Sequence, residues 1–110
     1  METNSVFFIH PTAEIVYQRK STENKFERLR TRLTIAYRAS DSNDSVEYAV
    51  AFTAPTDNFN RKTGRNIASA RLRGIPVSVK VSQDEDLFDT IVKSLKTRLP
   101  CRWVNAEFTL

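Results

Sequence analysis

Apolar positions recur with period two along most of the chain and with a spacing of three and four along one stretch, which separates strands from helices. "VFFI" and "AEIVYQ" flank His10-Pro11 and predict one or two strands around a turn within residues 5 to 18. "KSTENK" reads as a loop. Over residues 26 to 39, "FERLRTRLTIAYRA", Leu29, Leu33, Ile35 and Tyr37 fall on one face while Arg28, Arg30, Arg32 and Arg38 fall on the other, so a long strand with a basic outer face is expected. "SDSNDS" offers side chains that bond their own backbone in turns. "VEYAVAFTA" then resumes the alternation with Val46, Tyr48, Val50 and Phe52 together, and the two strands should form an antiparallel hairpin.

Asp57 and Asn58 are good helix N-caps. The helix they would open, "FNRKTGRNIASARLR", presents Phe59, Ile67, Ala68, Ala70 and Leu72 for burial and is followed by Gly74 where a left-handed C-terminal residue is wanted. Asn60, Thr63, Gly64 and Asn66 weaken its first half, so the alternative is a loop to about Gly64 and a short helix afterwards. "IPVSVKV" predicts a strand with Val77, Val79 and Val81 inward. Ser82 and Glu85 form a capping box, after which Leu87, Phe88, Ile91, Val92, Leu95 and Leu99 define an amphipathic helix that Pro100 closes. A terminal strand, "RWVNAEFTL", would place Val104, Ala106, Phe108 and Leu110 on one face. Strands outnumber helices and include a hairpin, which predicts a single α+β domain over residues 1 to 110. Its antiparallel or mixed sheet of about five to six strands would carry two helices packed on one face.

Composition fits that reading. A chain of 110 residues, 40% hydrophobic and 27% charged with two glycines, is ordinary globular material and can bury roughly two-thirds of its unfolded surface. Cys101 is the lone cysteine, which excludes an intrachain disulfide and a multi-cysteine metal site. The first segment lacks the basic start and apolar run of a secretory signal, and no stretch approaches the ~20 apolar residues of a membrane span. A cytoplasmic protein is expected, with no cofactor and no membrane partner.

Charge changes the picture more. The net charge is +4, but Arg61, Lys62, Arg65, Arg71, Arg73 and Lys80 occupy residues 61 to 80 without a carboxylate, whereas Asp41, Asp44, Glu47 and Asp57 occupy residues 41 to 60 without a base. On a helix, Lys62, Arg65, Ser69 and Arg73 share one stripe with Arg61 beside it, and like charges at that spacing repel by a few tenths of a kcal/mol per pair. A polyanion would offset the repulsion. Arg28, Arg30 and Arg32 add cations at about 6.6 Å intervals along a strand, Gly64 and Ser69 would admit a backbone closely, and Tyr17, Tyr48 or Trp103 could stack bases if exposed. The expected function is therefore a nucleic-acid-binding accessory protein contacting DNA or RNA phosphates through Arg61, Lys62, Arg65, Arg71, Arg73, Arg28, Arg30 and Arg32.

Blander readings stand beside this one. Strand arginines pair with cross-strand acids, for which Glu47 and Glu107 are available, and Arg71 and Arg73 suit the C-terminal end of a helix dipole. The same cations could instead dock on an acidic host protein, making the chain a protein-interaction module that modulates or inhibits that partner. The acidic and basic islands could also pair between subunits of a homo-oligomer.

Catalysis is not expected. His10 and Cys101, each the sole residue of its type, lie at opposite ends of the sequence and could meet only if the terminal strands paired; a turn role for His10 and a small apolar role for Cys101 are the simpler readings. Asp84, Glu85 and Asp86 belong to a helix start. A nucleophilic Tyr17, Tyr37 or Tyr48 lacks an acid-base set, and "KTGRN" lacks phosphate-loop spacing. The stretch "FNRKTGRNIASARL", fourteen of the 110 residues, resembles a pattern of short bacteriophage and mobile-element proteins: an aromatic, a basic pair, Gly-Arg, Ile-Ala and Arg-Leu. The resemblance implies a viral or mobile-element origin, hence a host cytoplasm if phage-encoded, and no particular activity.

Overall fold

A computed structural model describes residues 5–18, 25–40, 44–54, 57–82 and 84–110. The loop expected at 20–24 and the turn centre at 41–43 lie outside the described residues. The elements are β1 (Phe7–Ile9), β2 (Thr12–Gln18), β3 (Phe26–Ala39), β4 (Ser45–Phe52), α1 (Arg61–Gly74), β5 (Val77–Lys80), α2 (Leu87–Leu95) and β6 (Trp103–Thr109). All strand pairs are antiparallel, in the order β5-β4-β3-β2-β6 with β1 also on β3. The fold is α+β.

The turn expected at His10-Pro11 does not form. Phe7 opposes Tyr37, Ile9 opposes Ile35 and Thr12 opposes Arg32, so β1 and β2 keep one register along the same edge of β3. Proline has no N–H to give to the ladder, and this alone interrupts the pairing; Leu33 N still donates to the Pro11 carbonyl at 3.1 Å. On its other edge β3 pairs with β4 through residues 33 to 39 only. One strand of 14 residues, about 46 Å long by strand rise, thus joins two half-sheets: β3 with β2 and β6, and β3 with β1, β4 and β5.

The two helices take opposite faces of the sheet rather than the one face expected. Leu33, Ile35, Tyr48 and Val50 pack with Ile91 and Leu95 of α2, together with Ile15, Trp103, Ala106 and Phe108. The alternate residues Ala36, Ala49 and Ala51 pack with Ala68 and Leu72 of α1. The physical reason is visible in "YAVAF": both sides of β4 are apolar, large on one and small on the other, so both demand cover. Tyr48 is buried in the large-residue core and its hydroxyl meets Ser94 Oγ at 2.7 Å.

Helix starts and ends differ from expectation by a few residues. Asn60, not Asp57 or Asn58, caps α1, its side chain accepting from Thr63 N at 3.0 Å. Phe59 therefore precedes the helix, and Ile67 and Ala70 face solvent. Gly74 is the last helical residue without a positive φ, and Ile75 follows as C-cap. Asp86 replaces Ser82 as the cap of α2, while Glu85 reaches Lys93 in an ion pair. A register shift opposite Val16 and Tyr17 brings Trp103 into the core and leaves Val104 outside, reversing the face expected there.

Candidate nucleic-acid interface

Arg28, Arg30 and Arg32 alternate with core residues on β3, as the period-two pattern requires, and all three are exposed. They share a sheet face with Thr34 and Ala36, which lie under α1, so the strand arginines and the helix stand on the same side of the molecule. Across the ladder Arg30 faces Glu14 and bonds it at 2.7 Å, whereas Arg28 faces Val16 and Arg32 faces Thr12. The acids expected to neutralise these arginines are used elsewhere: Glu47 pairs with Arg38 and Glu107 with Lys96. An exposed pair such as Arg30–Glu14 contributes at most about 1 kcal/mol and leaves the arginine free to exchange partners.

Gly64 has a different role from the one expected. A Cβ at that position would collide with Thr34 Oγ1 and lie 3.1 Å from Thr34 Cβ. The glycine lets α1 approach β3; it does not open the surface to a ligand backbone. That close approach brings the first turns of α1 beside His10, whose Nδ1 lies 3.0 Å from Thr34 Oγ1. Burial first, then the charges of Arg61, Arg65 and Arg32, holds the His10 imidazole below its ordinary pKa. Three guanidinium groups from two elements thus act on one imidazole.

Phe59 completes the cluster. Its ring stands edge-on to His10, centroids 5.6 Å apart, and the Arg32 guanidinium carbon lies 5.7 Å from the ring centroid. Neither His10 nor Phe59 was expected at a site. The period-two continuity across His10-Pro11 was the available signal for His10; for Phe59, far along the chain, there was none.

The remaining cations divide. Lys62 and Arg73 are exposed, and at about 100° per residue they fall with Arg65 and Ser69 on one flank of α1. Arg71 projects from the opposite flank, where its Nη1 donates to the Val50 carbonyl at 2.7 Å, and so leaves the group. Among the described residues no carboxylate pairs with Arg28, Arg32, Arg61, Lys62, Arg65 or Arg73. The stacking residues expected are withdrawn: Trp103 is 7% and Tyr48 1% exposed, and Tyr17 packs against the core.

No metal-ligating cluster of three side chains occurs among the described residues, and no helix there is long and apolar enough to cross a membrane. The terminal strands do pair, through β2 and β6, yet His10 lies beyond the Thr12–Thr109 end and Cys101 beyond the Tyr17–Trp103 end. Strand rise separates the two by roughly 25 Å, which rules out a Cys-His couple. Against known protein families, characterised proteins and solved structures, the chain shows no match.

Proposed function

We propose that this chain is a nucleic-acid-binding accessory protein, with no catalytic activity of its own, that holds phosphates on the face formed by Arg28, Arg32, Arg61, Lys62, Arg65 and Arg73. The observation that carries the reading is the convergence of Arg32, Arg61 and Arg65 around His10 without a carboxylate among their partners. Cations so placed repel one another and add to burial in holding the imidazole below its ordinary pKa; a phosphate chain offsets the electrostatic part of both effects. The strand spacing and the helical flank supply several contact points in succession, which suits a polymer of charges. A mobile-element origin, implied by the pattern at residues 59 to 72, is compatible with such an accessory role.

Fluorescence anisotropy with labelled oligonucleotides over a salt series tests the proposal. Arg61→Ala combined with Arg65→Ala should weaken binding across unrelated sequences and reduce the slope of log K against log salt by about 1.4 to 1.8, since each phosphate contact contributes about 0.7 to 0.9. Unchanged affinity and slope in the double variant would eliminate the reading. A stoichiometric complex with an acidic protein that survives nuclease treatment, without oligonucleotide binding, would replace it with the protein-docking alternative.

A further inference from the structure

A cleft of about 430 Å³ opens between β3 and the segment that enters α1, bounded by Thr12, Arg30 and Arg32 on the sheet side and by Asp57, Asn58 and Phe59 on the other. Its volume is that of small-molecule sites, roughly 300 to 1,000 Å³, and it is a shallow, open feature whose lining mixes an aromatic ring, cations, a carboxylate and an amide. Two chemistries line it in different places and a third flanks it. A cation over an aromatic ring is formed by Arg32, whose guanidinium carbon lies 5.7 Å from the Phe59 ring centroid. An exposed carboxylate and an exposed amide, Asp57 and Asn58, stand at the lip. Further positive charge comes from Arg30, which is paired with Glu14 on the sheet side, and from Arg61 and Arg65 outside the cleft on the His10 side of Phe59.

From this division we infer that the cleft takes one unstacked base of a single-stranded nucleic acid, an inference that rests on the function proposed above. The base lies on the Arg32–Phe59 pair, because guanidinium planes and aromatic rings both stack on bases. Its hydrogen-bonding edge turns toward Asp57 and Asn58, where an acceptor carboxylate and a donor-acceptor amide can read donors and acceptors. Asp57 repels a phosphate, so the backbone passes on the other side, toward Arg61 and Arg65. A duplex cannot enter, since its bases are already paired and stacked. Phe59 is then the residue that distinguishes single strands from duplexes, and it does so together with the Arg32 guanidinium over its ring.

The experiment compares the affinity of short single strands, DNA and RNA in separate arms, with that of the duplexes of the same sequence, for the unaltered protein and for Phe59→Leu and Phe59→Trp. Leucine keeps apolar volume beside Gly64 and His10 but removes the ring; tryptophan restores it. Single strands of at least one type should bind about tenfold or more tighter than duplex. Phe59→Leu should weaken single-strand binding by about 5-fold to 150-fold, the range expected for one lost stack, and leave duplex binding unchanged. Phe59→Trp should keep the affinity, and its indole emission should be quenched by single strands only. Equal affinity for single strands and duplexes, together with Phe59→Leu binding as the unaltered protein does, would overturn the inference; sensitivity to Arg61→Ala with Arg65→Ala would then leave the broader proposal standing. Failure of the unaltered protein to bind either form would overturn both.

Discussion

The two helices solve opposite problems. α2 spans nine residues, buries Thr90, Ile91 and Leu95, and sits on the large side chains of β3, β4, β2 and β6. α1 spans 14 residues and buries only Ala68 and Leu72, on a floor of three alanines. Fully burying an Ile or Leu contributes about 1.5 to 3 kcal/mol, whereas an alanine offers little more than a methyl group. The sheet is therefore stabilised mainly from the α2 side. The other side gains proximity instead: small residues and a glycine bring the α1 backbone down onto β3, so that arginines on its first turns meet those of the strand while remaining in water.

The largest effect should come from breaking the α2 side. Leu95→Ala is expected to cost about 2 to 5 kcal/mol, read from the urea midpoint, with oligonucleotide affinity of the folded fraction unchanged. If Leu95→Ala instead abolished binding while stability held, the division of labour between the faces would be wrong. Next comes a paired glycine test on α1. Gly64→Ala should destabilise by about 1 to 3 kcal/mol because the new methyl meets Thr34, and it should also weaken binding by moving Arg61 and Arg65. Gly74→Ala, with nothing within 4 Å of the added carbon and no positive φ, should stabilise by about 0.4 to 1 kcal/mol. Equal signs for the two substitutions would refute the close-approach account.

Much of this organisation can be read from residues alone, and what cannot has definite causes. β3 follows from the alternation of arginines with apolar or small residues from Arg28 to Leu33, and α2 from large apolar residues at helical spacing. Both signals come from side chains that differ sharply in hydropathy. The second apolar face does not announce itself, because Ala36, Ala49 and Ala51 carry too little hydrophobic signal to be told from spacers. The bulge beside Trp103 inverts a face without any glycine or proline to mark it. The cluster of His10, Arg32, Phe59, Arg61 and Arg65 is assembled by packing between distant segments, and residue order alone shows only its individual charges.

Smaller effects sharpen the comparison at the α1 N-terminus. Asn60→Ala removes the bond to Thr63 N and should cost about 1 kcal/mol in thermal or urea unfolding, with a modest loss of affinity as the first turn loosens; Asn60→Asp should restore the stability. The smallest concerns His10, the chain's one histidine, whose imidazole can be followed by proton NMR. Its folded-state midpoint should lie below 6.5. The unfolded chain then takes up the proton more readily, so the stability contributed by neutral His10 is complete above pH 6.5 and is lost as pH falls from there through the lower folded value. A bound oligonucleotide should move the midpoint upward. A midpoint at or above 6.5 in the free protein would contradict the burial of His10 together with its crowding by Arg61, Arg65 and Arg32.

The bond from Arg71 to the Val50 carbonyl has a consequence of its own. β5 covers β4 only from Ser45 to Tyr48, while β4 runs on to Phe52, so the rim of its last residues pairs with no further described strand and Ala49, Val50 and Ala51 are buried by side chains instead; uncovered, such a rim is one to which another chain could add itself. A charged side chain lying across that rim, next to the 79% exposed Ile75, spoils it as a template. Arg71→Met should leave oligonucleotide affinity almost untouched and appear instead as concentration-dependent self-association in light scattering; a strictly monomeric variant would show that the rim is harmless without its guard.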